Sequence, residues 1–186
     1  RDFIEKYDFR CLDLSLFEKY SKHEKFNLDK CQLRCVKINN SKNSMISLKS
    51  LNFNSNKLRE FKLSNLTTLQ YLDLSKNNLA IIKKSYFHNL SQLLTLKLEG
   101  NQIKKIEPEA FQALKSLRGL ELEDNFIDTI FSFTFEGLQS LQKIDLRNNP
   151  IRVIEANAFL DLPQIEEISI LNLNKLEFIE KNALND

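Results

Sequence analysis

A chain of 186 residues that is 42% hydrophobic and 28% charged is long enough for one sizeable core and too evenly mixed for a disordered tail. Its 27 basic and 25 acidic residues leave a formal charge of +2, so no strong field recruits nucleic acid or an anionic membrane surface. The longest apolar runs, such as Leu79-Ala80-Ile81-Ile82, fall far short of the roughly 20 residues of a membrane-spanning helix.

The chain opens on Arg1 without an apolar leader, which reads as a mature product or an excised fragment. Residues 1–25 read as an N-terminal cap and residues 26–186 as a repeat array of about six to seven copies. All three cysteines, Cys11, Cys31 and Cys35, fall in the first fifth, where a solenoid needs a lid over its first coil. Outside the cell a disulfide serves that purpose. Phe26-x-Leu28-x-x-Cys31-x-Leu33 is the first copy of the repeat, with Cys31 at a position that suits a small buried thiol. That leaves Cys11 and Cys35 as the expected bridge, with Cys11–Cys31 as the alternative. A zinc site from Cys31, Cys35 and nearby His23 is the competing reading, but it lacks a fourth ligand, and no metal or cofactor is expected.

The second copy, Leu51-x-Phe53-x-x-Asn56-x-Leu58-x-x-Phe61, is shortened: Asn56 lies 21 residues before Asn77. From there Asn77, Asn101, Asn125 and Asn149 follow at intervals of 24 residues. Each is framed alike, as in Leu69, Leu72, Leu74, Asn77, Leu79, Ile82, Phe87 and Leu90. Leu72-x-Leu74 alternates as a short strand does, with two side chains on one face and their neighbours on the other. Equivalent strands should stack in parallel about 4.8 Å apart. The recurring asparagine sits where the chain leaves the strand, and its buried amide can satisfy backbone groups of adjacent turns. Asn56, Asn77, Asn101, Asn125 and Asn149 are therefore read as a structural ladder. The last copy, Ile165, Ile168 and Ile170 leading to Asn174, Leu176 and Ile179, runs one residue late, which implies a bulge after Ile170. With no cysteine-rich cap after it, the array reads as part of a larger ectodomain.

These residues resemble the typical extracellular class of leucine-rich repeat, L-x-x-L-x-L-x-x-N-x-L followed by I-x-x-x-x-F-x-x-L, over Ser47 to Ala183. The cap resembles, less closely, secreted and Toll-receptor-like repeat proteins of innate immunity, and departs from their common four-cysteine cap. The resemblance implies an α/β solenoid: a right-handed curved horseshoe with a parallel concave sheet, mostly irregular convex segments and little helix. It also implies a recognition module that docks a protein ligand or co-receptor on that sheet.

Outward strand positions can then be assigned as candidate partner-binding residues: Tyr71, Asp73 and Ser75; Thr95, Lys97 and Glu99; Gly119, Glu121 and Glu123; Lys143, Asp145 and Arg147; Glu167, Ser169 and Leu171. They should be free to vary without affecting folding. Six acids against three bases on this face favour a basic partner. Tyr71 beside Asp73, and a notch at Gly119, are the expected anchors. Phe126, Phe131 and Phe133 stand where sister repeats carry polar residues. Either they pack beneath a local twist, the reading preferred here, or they form an interface patch through which the chain assembles as a homo- or hetero-oligomer.

Sequons at Asn39, Asn65 and Asn89, together with the cysteines, point to an extracellular glycoprotein. No enzyme is expected: His23 and His88 lie in the cap and an outer loop, and Gly100, Gly119 and Gly137 form no phosphate loop. The pairs Lys83-Lys84 and Lys104-Lys105 lack interleaved aromatics, so nucleic acid is not an expected partner, nor is membrane insertion within this chain.

Overall fold

Three-residue strands, each with an apolar residue pointing inward, repeat along the chain in a computed structural model that describes residues 11–15, 22–38, 47–63, 66–170 and 176–183. Asn39, Asn65, Leu171, Asn174 and the bulge expected after Ile170 lie outside the described residues. Numbered in chain order, β2 (Lys25–Asn27), β4 (Ser50–Asn52), β6 (Tyr71–Asp73), β8 (Thr95–Lys97), β10 (Gly119–Glu121), β12 (Lys143–Asp145) and β14 (Glu167–Ser169) form one seven-stranded sheet in sequence order. Every pairing in it is parallel and in register, so Leu51, Leu72, Leu96, Leu120 and Ile144 make a continuous inward row that is fully buried. This is the concave sheet of a leucine-rich solenoid.

On the outer side the chain is more ordered than expected. Three small parallel sheets run there: β1 (Leu12–Asp13), β3 (Cys35–Lys37) and β5 (Glu60–Lys62); β7 (Ile81–Ile82) and β9 (Lys105–Ile106); β11 (Thr129–Ile130), β13 (Val153–Ile154) and β15 (Phe178–Ile179). The fixed repeat length brings equivalent outer residues side by side, and β-branched pairs such as Val153-Ile154 suit a pleated, half-buried surface. The α part of the expected α/β class is absent: no α-helix occurs among the described residues.

Two columns hold successive coils together. Phe87, Phe111, Phe135 and Phe159 stack with ring centroids 5.8, 6.3 and 5.2 Å apart, and the first three are wholly buried. Beside them runs the asparagine column. Asn125 Oδ1 accepts from Ile103 N–H at 3.0 Å, while its Nδ2 donates to the carbonyls of Leu98 and Leu122, each at 3.0 Å. Asn77, Asn101 and Asn149 repeat this arrangement; Asn56 Oδ1 accepts from both Cys31 and Leu33 N–H. One amide thus joins two coils. The residue before each asparagine turns left-handed: Ser55, Lys76, Gly100, Asp124 and Asn148 have φ of 55°, 53°, 66°, 54° and 57°. Side chains other than glycine rarely adopt that conformation, and the amide bonds across the corner offset its cost.

Cys11 and Cys35 are bridged, and Cys31 lies outside the bridge as a buried side chain whose Sγ–H donates to Asp29 O. The bridge abuts the pairing of Leu12 with Val36 and so ties β1 onto the outer edge of the first coils. It also removes Cys35 as a thiolate ligand, which ends the zinc reading through Cys31, Cys35 and His23.

Candidate functional site

The strand alternation that buries one row of side chains turns the other two rows toward the concave side. Register sets them in lines. Tyr71, Thr95, Gly119, Lys143 and Glu167 form one, and Asp73, Lys97, Glu121, Asp145 and Ser169 the next. Ser75, Glu99, Glu123 and Arg147 follow two residues later on their coils.

Part of this face serves the fold, contrary to the expectation that all of it is free to vary. Asp73 and Asp145 are only 7% and 4% exposed. Asp73 Oδ1 accepts from Ser75 N–H at 3.0 Å and from the Ser75 hydroxyl, and its Oδ2 accepts from Tyr71 O–H at 3.2 Å. Asp145 Oδ1 accepts from Arg147 N–H at 3.1 Å and from its Nε at 2.8 Å. Asn27 and Asn52, at the same phase, accept from the N–H groups of Asp29 and Asn54 in the same way. A short polar side chain at this position thus closes a turn with the backbone two residues on, as Asp and Asn do in loops. The sequence carries this signal as Asp or Asn recurring between the two inward strand residues, a position that alternation alone marks only as outward-facing.

Elsewhere the face is partly open. Lys97 Nζ lies 2.7 Å from Glu121 Oε2, and Lys143 Nζ lies 2.9 Å from Glu167 Oε2. Burial alone would lower the Lys97 pKa, but its bond to Glu121 and the charges around it raise it. Burial, helped by the Asp73 charge, pushes the Tyr71 phenol up to about 12. Burial would also raise Asp145, yet the bonds and charge of Arg147 hold it below the usual range. A Cβ built on Gly119 would meet nothing within 4 Å, so the strand is open there, as a notch requires.

Glu99 and Glu123 differ from the rest. Their Oε2 atoms are buried and have no hydrogen-bond partner, and burial, first among the causes, raises both carboxyls above the usual glutamate range. One oxygen each of Glu99, Glu121 and Glu123 lies within 4.8 Å of the others.

The aromatic residues of the outer flank do not pack beneath a twist. Phe126, Phe131 and Phe133 remain 53%, 41% and 42% exposed, because the inward positions of their coil are already filled by Ile127, Ile130 and Phe135. Phe133 has a φ of 59°, at the phase where Glu109 and Asn157 also turn left-handed. Asn89 is exposed on an outer turn, also left-handed, while His23 and His88 are exposed on separate coils.

The family model described as leucine rich repeat matches residues 67–127 and 115–176. The chain belongs to the leucine-rich-repeat family. It is accordingly a protein-interaction repeat module built as a parallel β-solenoid. A solved structure of similar fold is the Toll-like receptor TLR13 in its crystal structure with ssRNA13, at a TM-score of 0.59 and 22% identity. The match covers 85% of this leucine-rich-repeat chain and 30% of the receptor chain. No curated protein matches the chain.

Proposed function

We propose that this leucine-rich-repeat chain acts outside the cell as a non-catalytic, receptor-like recognition module of the innate-immune kind. It binds a protein ligand or co-receptor on the concave sheet. The observation that carries this reading is the division of labour on the sheet. One row of each strand is fixed by burial, whereas Tyr71, Thr95, Lys97, Gly119, Glu121, Lys143 and Glu167 on the strands, and Glu99 and Glu123 in the turns that follow them, stay at least partly exposed. Residues held by a rigid frame yet not required by the core are suited to specificity. A surplus of acids on this face opposes a phosphate backbone, so a protein is favoured over RNA although the TLR13 structure is a complex with ssRNA13. The Cys11–Cys35 bridge and the exposed sequon at Asn89 support an extracellular address. No helix among the described residues is long and apolar enough to cross a membrane.

The test is photo-cross-linking of a partner captured from extracellular fluid, with the photoreactive residue at Thr95 on the sheet or at Phe131 outside. Cross-linking at Thr95 alone is expected; cross-linking at Phe131 alone would reject the concave site. A second reading, assembly through the outer flank, is favoured by the exposure of Phe126, Phe131 and Phe133. It requires a dimer in solution that Phe131→Asp dissociates.

A further inference from the structure

Positive charge is not spread evenly over the chain. On the concave side Lys97, Lys143 and Arg147 are each paired with an acid. On the outer side of the first coils, Arg34, Lys57 and Arg59 are exposed and line a groove of about 750 Å³, while Lys62, Lys83 and Lys84 line an adjoining one of about 900 Å³. The two grooves meet at Glu60, which lines both, and Glu107 is the other acid in their walls. Lys84 is committed to Glu109, and Lys83 Nζ lies 5.8 Å over the Tyr86 ring. Arg34, Lys57, Arg59 and Lys62 make no ion pair among the described residues. Arg59 N–H donates to Arg34 O at 3.2 Å, so the two arginines occupy facing positions of adjacent coils, where like charges repel. The larger recess follows from repeat length. Asn56 to Asn77 spans 21 residues where later coils span 24, and the shortfall lies after Phe61, which stands as far from Asn56 as Ile82 does from Asn77. The turn of residues 83–89 therefore has no full-length counterpart on the coil before it, and the groove opens between them.

We propose that these two grooves bind a linear sulfated polysaccharide, with Arg34, Lys57, Arg59 and Lys62 as the residues that hold its sulfates. The proposal rests on the extracellular address given above, where such polymers are met, and is independent of what the concave sheet binds. A groove lined with unpaired bases concentrates anions, and guanidinium groups hold planar sets of anionic oxygens two bonds at a time. Bases on successive coils recur about every 4.8 Å, which suits a chain that carries charge along its length better than a single small anion. Single-stranded RNA fits less well: it needs aromatic faces for its bases, and Phe61 and Tyr86 in the groove are each only 4% exposed. An acidic peptide would need apolar anchorage, and Leu63, the remaining apolar residue there, is 3% exposed. A bilayer is flat, whereas these bases line recesses.

The experiment titrates the chain with a heparin octasaccharide, the same octasaccharide stripped of its sulfates, single-stranded RNA, polyglutamate and phosphatidylserine vesicles, following affinity and backbone amide signals. The heparin octasaccharide is expected to bind tightest, to move the amides of Arg34, Lys57, Arg59 and Lys62, and to weaken steeply with added salt. Arg34→Ser with Arg59→Ser should lose about tenfold in affinity, and so should Lys57→Ser with Lys62→Ser. Lys115→Ser with Arg118→Ser removes the same charge from exposed positions elsewhere and should lose less than about twofold. Because the replaced side chains are exposed, both groove variants should melt as wild type does. Equal loss in the Lys115 and Arg118 variant, or equal binding of the desulfated sugar, overturns the proposal by showing that charge alone is read. Tighter binding of RNA, polyglutamate or vesicles assigns the grooves to that partner instead. Amide shifts confined to Tyr71, Thr95 and Lys97 move the polymer to the concave sheet and likewise overturn it. Cross-linking of a protein partner at Thr95 is indifferent to the groove variants, so failure of this proposal and failure of concave-face recognition are read separately.

Discussion

An amide that bonds three backbone groups in two coils is hard to replace. Asn125 is 4% exposed and holds Ile103 N–H and the carbonyls of Leu98 and Leu122. Asn125→Ala leaves these groups unsatisfied and should cost about 1–3 kcal/mol in urea unfolding, with partner affinity lost only as the fold is lost. A loss below about 0.5 kcal/mol would mean that water replaces the amide. The pH dependence of stability separates the acids. Glu99 and Glu123 are raised when folded, so the folded protein binds their protons more tightly than the unfolded chain does. Their destabilisation is present at neutral pH and is relieved as pH falls through the raised values toward the ordinary 4.5. Asp145 has the opposite sign: its stabilisation is present above the ordinary 3.8 and is lost as pH falls through its lowered value. Combined Glu99→Gln and Glu123→Gln should therefore raise the melting temperature at neutral pH, with the gain shrinking on acidification toward 4.5. A gain independent of pH would contradict the origin given for it. The ladder asparagines were legible because their interval is constant. The roles of Asp73 and Asp145 were not, since alternation says which face a side chain leaves from and not which neighbouring N–H captures it.

Strands and turns show the same limit one scale up. Leu72-x-Leu74 and its equivalents located the concave strands, because period-two burial is a property of sequence. The outer strands have no such signature: two or three residues are too few for a period, and their pairing is imposed by the fixed spacing of the coils. Phe133 marks a conflict between sequence and backbone. Its φ of 59° falls where Asn157 is comfortable, and its ring remains 42% exposed. Phe133→Asn should relieve the strain and raise stability by about 1 kcal/mol, measured by denaturant midpoint. No gain would show that the ring contributes packing equal to the strain. The bridge between Cys11 and Cys35 closes a separation of 24 residues, for which the constraint on the unfolded chain is roughly 3 kcal/mol. Replacing both with serine should lower the melting temperature, while Cys31→Ser should act only through its buried site.

A solenoid distributes stability as a sum over neighbouring coils, so the whole molecule separates what holds it together from what it presents. The inward leucines, the phenylalanine column and the amide ladder run through every full coil without reference to any ligand. The outward residues, apart from the turn-closing Asn27, Asn52, Asp73 and Asp145, follow no such rule, and the face they form is the proposed site of a partner. The most direct test compares melting with affinity for the captured partner in two variants, Glu121→Lys with Glu123→Lys on the sheet and Phe131→Asp on the outer flank. The double variant breaks the Lys97–Glu121 pair and is compared below its own melting temperature, where it is expected to lose about tenfold or more in affinity, while Phe131→Asp binds as wild type does. Unchanged affinity in the double variant, with binding lost in Phe131→Asp, would contradict concave-face recognition and move the site to the outer flank.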